Sequence, residues 1–138
     1  MTQEEKQLLF KDLCARLPYG VKYCRDSWNY EWDQEMSVVE VLEDIDKEGY
    51  INYHKVYKVW DIKPYLRPMS SMTEEEKIEL CIISYAPDEM RALDEKLYVI
   101  QTNANNSTDW LNAHHFDYRG LIEKGLALEA PEGMYKTH

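Results

Sequence analysis

Ser37-Val-Val-Glu-Val-Leu-Glu-Asp-Ile45, followed by Asp46-Lys-Glu-Gly49, is the stretch on which the fold turns. Read as a helix, it places Val38, Val41, Leu42 and Ile45 on one stripe, with Ser37 and Glu40 at capping-box spacing. Read as a strand, it is rich in the β-branched side chains that fit a pleated surface. The turn at Asp46–Gly49 favours the strand, because it leads into Tyr50-Ile-Asn-Tyr-His-Lys-Val-Tyr-Lys-Val-Trp60, where Ile51, Tyr53, Tyr57 and Val59 share one face at period two. A meander of three or four antiparallel strands follows. A short twisted sheet of this kind curls into a small SH3-like barrel, with Asp61-Ile-Lys-Pro-Tyr-Leu-Arg-Pro68 as its irregular exit.

On the N-terminal side, Thr2 and Glu5 form a capping box, and Phe10, Leu13, Cys14 and Leu17 recur at helical spacing, predicting a helix over residues 3–16 that Pro18 and Gly20 end. From Tyr19 the pattern becomes strand-like, with Val21 and Tyr23 alternating against Lys22 and Cys24. A turn near Asp26-Ser27 and the aromatic segment Trp28-Asn-Tyr-Glu-Trp32 complete a hairpin. On the C-terminal side, Met69-Ser-Ser-Met72 is a connector. Thr73 and Glu76 form a second capping box for a helix through Ser84, stopped by Pro87. Leu97-Tyr-Val-Ile100 reads as a strand and Asn103–Ser107 as a polar loop, with Ser107 or Thr108 capping a helix to Phe116. Asp117 caps a short helix over 118–124 that Gly125 terminates. The expected architecture is α+β: an N-terminal helix, a small antiparallel β-sheet or SH3-like barrel, and a C-terminal helical hairpin.

A chain of 138 residues buries roughly two thirds of its unfolded surface, enough for one core. We expect a single domain over residues 1–138, with a helix and β-meander in 1–68 and a mostly helical part in 69–138. Cys14, Cys24 and Cys81 are odd in number and lack C-x-x-C spacing, which argues against a disulfide framework or a zinc knuckle. The Met1-Thr-Gln-Glu-Glu-Lys6 start has no export-type apolar run, and no apolar stretch reaches bilayer length, so the expected compartment is the cytoplasm. A net charge of −10 makes direct contact with nucleic-acid backbones unfavourable and points to a basic protein partner. The charge is concentrated: from Asp26 to Glu48 nine carboxylates face Lys47 alone.

Few residues form a chemical constellation. Two short helices joined tightly allow a helix-turn-helix reading with Tyr118, Arg119 and Lys124 toward DNA, but the acidity and the short second helix oppose it. His114 and His115 are adjacent, so on a helix they point about 100° apart and do not converge on one ion as an i, i+4 pair does. With Asp117 they are all that supports a small metal-dependent hydrolase. Cys14 lies on the apolar stripe of the first helix, where a small buried hydrophobe is the expectation. No phosphate-binding glycine loop, metalloprotease helix or nucleophile elbow occurs, and no cofactor is expected.

The segment Asp26–Met36 instead mixes acid with the aromatic types that anchor interfaces. Trp28, Tyr30, Glu31, Trp32, Asp33 and Glu35 are the expected partner-binding residues of a non-enzymatic module, directed at a basic surface. The alternative is a scaffold or adaptor that takes a peptide along its sheet edge, with Tyr50, Tyr53 and Tyr57 supplying pockets.

Three blocks, Lys11–Lys22, Ile62–Glu76 and Asp109–Met134, resemble an uncharacterised family of small proteins from gut Bacteroidales genomes and their prophages and mobile elements. The blocks cover under half of the chain. The resemblance implies a mobile-element context and an order of elements, and it brings no activity and no site residues. In that context an acidic aromatic face suits a phage-encoded inhibitor that occupies the nucleic-acid groove of a nuclease or another DNA-binding host protein.

Overall fold

The computed structural model describes residues 1–29, 31–53, 56–85 and 106–135. Helix α1, Gln3–Arg16, starts as expected: the Thr2 hydroxyl accepts from the Glu5 amide at 3.1 Å, and the Glu5 carboxylate accepts from the Thr2 amide at 3.0 Å. Its buried face is Leu9, Asp12, Leu13 and Arg16. That face is rotated from the predicted stripe, and Cys14 is exposed, because the helix turns an Asp–Arg pair one turn apart into the interior. Gly20, at φ 70, reverses the chain into β1, Lys22–Asn29.

β1 pairs antiparallel with β2, Gln34–Val41, in continuous register from Lys22 opposite Val41 to Asn29 opposite Gln34. Asp26 and Ser27, the predicted turn, pair with Ser37 and Met36 inside this ladder. The reversal instead comes after Asn29 and includes residues 31–33, where Asp33 takes φ 50, a conformation that Asp tolerates better than most side chains. The strand reading of 37–45 holds as far as Val41.

The predicted strand over 50–60 does not form among the described residues of that range, 50–53 and 56–60. The Asp46 turn is present, with the Asp46 carboxylate accepting from the Glu48 and Tyr50 amides at 2.9 Å each. Asn52 and Tyr53 then take positive φ, which breaks any period-two run, and Tyr53 is 80% exposed although Ile51 and Val59 are buried. Among the described residues, single bridges, Ile45 with Ile51 and Tyr50 with Lys58, are what remains of that meander. The expected irregular exit supplies β3, Lys63–Leu66, which pairs antiparallel with β1 and parallel with β4, Leu128–Glu129. Among the described residues the sheet is therefore mixed, four-stranded and open, in the order β2-β1-β3-β4, and no barrel closes. Two short strands against one long hairpin leave too few rungs to bring the edges together.

Helix α2, Glu74–Tyr85, opens on the Thr73–Glu76 capping box. Helix α3, Asn106–Ala113, begins earlier and stops sooner than the sequence suggested. His115 adopts φ 64, and the Phe116 amide turns back to the Leu111 carbonyl at 2.9 Å. The predicted helix over 118–124 is a succession of turns: the Asp117 carboxylate accepts from the Leu121 and Ile122 amides at 2.8 and 3.0 Å, and Gly120 and Gly125 both have positive φ. There is accordingly no C-terminal helical hairpin among the described residues, because the positive φ at Gly120 interrupts the helical ladder inside 118–124, while Gly125 has the positive φ expected of it. The predicted strand 97–100 and residues 103–105 lie outside the described residues.

The main core gathers Leu9, Leu13, Tyr23, Leu42, Ile51, Leu66 and Leu121 between α1, the sheet and the C-terminal turns. A second cluster packs Met72, Trp110 and Phe116 against Leu80 and Leu111. No described helix is long and apolar enough to cross a membrane.

The Tyr135 side chain ties the final described segment to the seam between β1 and β3. Continuing the β1–β3 register places Lys22 opposite Tyr65. The Tyr135 hydroxyl sits between them, accepting from the Lys22 amide at 2.8 Å and donating to the Tyr65 carbonyl at 2.7 Å, so a phenol stands in for a rung.

Candidate functional site: an acidic hairpin on an open sheet edge

The root of the β1–β2 hairpin is fixed by polar contacts. Arg25 forms an ion pair with Glu40, stacks over the Tyr57 ring at 5.0 Å, and the Tyr57 hydroxyl donates to the Asp26 carbonyl at 3.2 Å. The Tyr23 hydroxyl also donates to Glu40 at 3.3 Å. Burial, followed by the Glu40 charge, pushes the Tyr23 phenol up to about 12, so it stays a neutral donor.

Beyond this root, the hairpin enters solvent. Glu31, Trp32, Asp33 and Glu35 are all exposed, Trp32 to 69%. Trp28 occupies the β1 position opposite Glu35, and Tyr30 lies outside the described residues. The sequence-predicted acids and one of its aromatics are thus brought together at one tip. Two carboxylates of the acidic stretch serve the fold instead: Glu40 takes Arg25, and Asp46 takes turn amides. Glu43 remains exposed and extends the negative surface toward the root.

Among the described residues β2 is an edge strand, and its hydrogen-bonding direction can be read from its ends. The Leu42 amide donates to the Val21 carbonyl at 2.8 Å, which in this register points the backbone groups of Val38, Glu40 and Leu42 toward β1. The alternate residues Glu35, Ser37, Val39 and Val41 direct theirs away from it. Asn52 confirms the parity at one end: its Nδ2 donates to the Val41 carbonyl at 2.9 Å, and its Oδ1 accepts from the Glu43 amide at 2.7 Å. This side-chain amide therefore occupies the place that a peptide group of a neighbouring strand would take.

The other sequence candidates are engaged elsewhere. Tyr53 is exposed on a turn, Tyr50 lies under Lys58, and Tyr57 holds the hairpin root, so the three tyrosines do not line a sheet edge. His114 stacks on Trp110 at 4.1 Å and approaches Glu76 at 3.8 Å. His115 is buried against the Tyr135 ring at 3.7 Å, and burial, then the Arg16 charge, holds it down to about 4. With Asp117 committed to backbone amides, no three described His, Cys, Asp or Glu side chains form a metal-binding group. Tyr118 bonds Asn112 and Arg119 bonds Asp12, so neither presents itself as a DNA-reading side chain; Lys124 is exposed.

Sequence reasoning missed the buried Asp12–Arg16 pair, the half-buried Arg119 that joins it, Asn52 and Tyr135. An Asp and an Arg four residues apart, and an Arg after a Tyr, carry no mark of burial, and Asn52 reads as a polar residue inside a strand pattern. A groove of about 400 Å³ beside Tyr135, lined by Arg67, Ser71, Thr73 and Glu129, was likewise without a sequence signal. Comparison of the chain with protein-family models, curated proteins and solved structures returned no match.

Proposed function

We propose that the protein is a non-enzymatic interaction module whose acidic hairpin occupies a basic surface of a partner protein. The supporting observation is Trp32, 69% exposed at a tip flanked by exposed Glu31, Asp33 and Glu35. An exposed large aromatic ringed by carboxylates supplies desolvation area at its centre and long-range attraction at its rim. Such a surface complements a groove built to hold phosphates, and the partner class is a nuclease or other nucleic-acid-binding protein whose site the hairpin blocks. The alternative adaptor reading retains the sheet edge but loses its tyrosine pockets.

Electrostatic association has a kinetic signature. Binding to a basic partner slows by about tenfold or more when ionic strength rises from low to physiological values. Glu31→Lys, Glu35→Lys and Asp33→Asn together slow it similarly, while Trp32→Ala speeds dissociation and leaves the association rate nearly unchanged. Asn is chosen at 33 because the backbone there has φ 50. Stopped-flow association with circular dichroism as the folding control reads these effects. Salt-insensitive binding would falsify the proposal.

A further inference from the structure

The edge of β2 carries more information than its charge. Its outward backbone groups at Glu35, Ser37 and Val39 have no strand beside them among the described residues, since β2 ends the sheet. Val39 and Val41 are 48% and 40% exposed, on the same strand face as Glu35 and Ser37. Two adjacent β-branched side chains left in solvent on an edge, with a carboxylate four positions along, form a pattern that another strand can read. Asn52 already shows one amide seated on this edge, at Val41 and Glu43, and marks where the vacancy begins.

We propose that β2 receives an extended, basic segment of the partner protein as a fifth strand of the sheet. The rungs form at Ser37 and Val39, apolar partner side chains lie against Val39 and Val41, and a Lys or Arg lies against Glu35. The inference rests on the reading of the hairpin as a surface for a basic partner, and specifies how that partner is held. Charge selects the occupant: a second copy of this chain would bring together two stretches that each set nine carboxylates against one lysine, whereas a cationic strand meets them with opposite sign. The tip with Trp32 then provides capture, and the edge provides register.

Two synthetic probes test it: a blocked peptide whose alternate positions read Val, Val, Ser and Lys, to face Val41, Val39, Ser37 and Glu35, with Lys at the positions between, and the same peptide N-methylated at those four alternate amides so that the edge facing β2 cannot donate. The unmodified peptide slows hydrogen exchange at the Ser37 and Val39 amides by about tenfold or more and leaves the β1-bonded Val38 and Glu40 amides unchanged. The N-methylated peptide binds at least about fivefold more weakly. Val39→Pro reproduces that loss, because it removes an outward N–H and leaves the ladder to β1 intact. Equal binding of both peptides to the wild type overturns strand addition while leaving the acidic-surface reading in place, and it decides the matter even if Val39→Pro fails to fold. Absence of binding by either peptide at low salt, with the protein folded, defeats both readings. A wild-type dimer in sedimentation that Val39→Pro dissociates assigns the edge to a second copy and also overturns the proposal.

Discussion

Asp12 and Arg16 lie one helical turn apart with no solvent exposure, joined by Nε to Oδ2 at 2.7 Å and Nη2 to Oδ1 at 3.2 Å. Arg16 also donates to the Phe116 carbonyl at 2.6 Å, and Arg119 reaches Asp12 at 3.0 Å, so one buried carboxylate holds two guanidinium groups. Asp12→Ala leaves Arg16 buried without a countercharge and costs about 3–5 kcal/mol. Urea unfolding measures this, and a double replacement with Arg16→Met recovers much of the loss, as expected when the penalty is the orphaned charge. Two further residues set the pH dependence. His115 has an ordinary value of 6.5 lowered to about 4, so acid protonates the unfolded chain first and stability declines as pH falls between those values. Glu76 is held down to about 2, chiefly by Arg67, so its contribution is present above 4.5 and is lost as pH falls from there toward 2. The wild type should therefore lose about 1–2 kcal/mol between pH 7 and 5. His115→Asn, which suits φ 64, should flatten that interval and leave the steeper fall below pH 4.5. An unchanged pH profile in this variant would remove His115 as the cause.

Among the elements, the hairpin depends on a residue outside it. The Asn52 amide joins Val41, Glu43 and the Tyr23 hydroxyl, at 2.9, 2.7 and 3.0 Å. Asn52→Gly keeps the positive φ and removes those bonds, so it should cost about 1–3 kcal/mol and accelerate exchange of the Glu43 amide, while the tip keeps its affinity for cationic probes. The legibility of the elements follows the same division between local and distant causes. Both capping boxes were readable, since each is settled within four residues. The strand through Val38 and Val41 was readable from its β-branched content. The turn before it was misplaced because Asp26 and Ser27 have turn chemistry but are claimed by ladder partners eleven and nine residues away. Residues 50–60 had the period of a strand, yet positive φ at Asn52 and Tyr53 overrides it. The candidate site was legible as composition: the acids and Trp32 were identified. Its edge position was not, because it depends on β3 pairing with the far side of β1.

Across the whole molecule, Arg67 connects the two cores. Its guanidinium takes both Glu76 oxygens at 2.8 and 2.7 Å and lies over the Phe116 ring at 4.1 Å, while its backbone bridges the β3 end to the α3 exit. The exposed tip acids Glu31, Asp33 and Glu35 belong to neither cluster, so their charge can be altered without disturbing the cores. The Tyr135 phenol has a consequence in time. Its contacts to Lys22 and Tyr65 span 113 and 70 residues of chain, against the short loop that closes β1 on β2. Loop closure favours the short connection, so the hairpin zips first and the seam between β1 and β3 is sealed late in folding. Tyr135→Phe should then leave the refolding rate almost unchanged and hasten unfolding, as stopped-flow chevrons would register. A newly made chain would accordingly present its acidic hairpin before its sheet is finished.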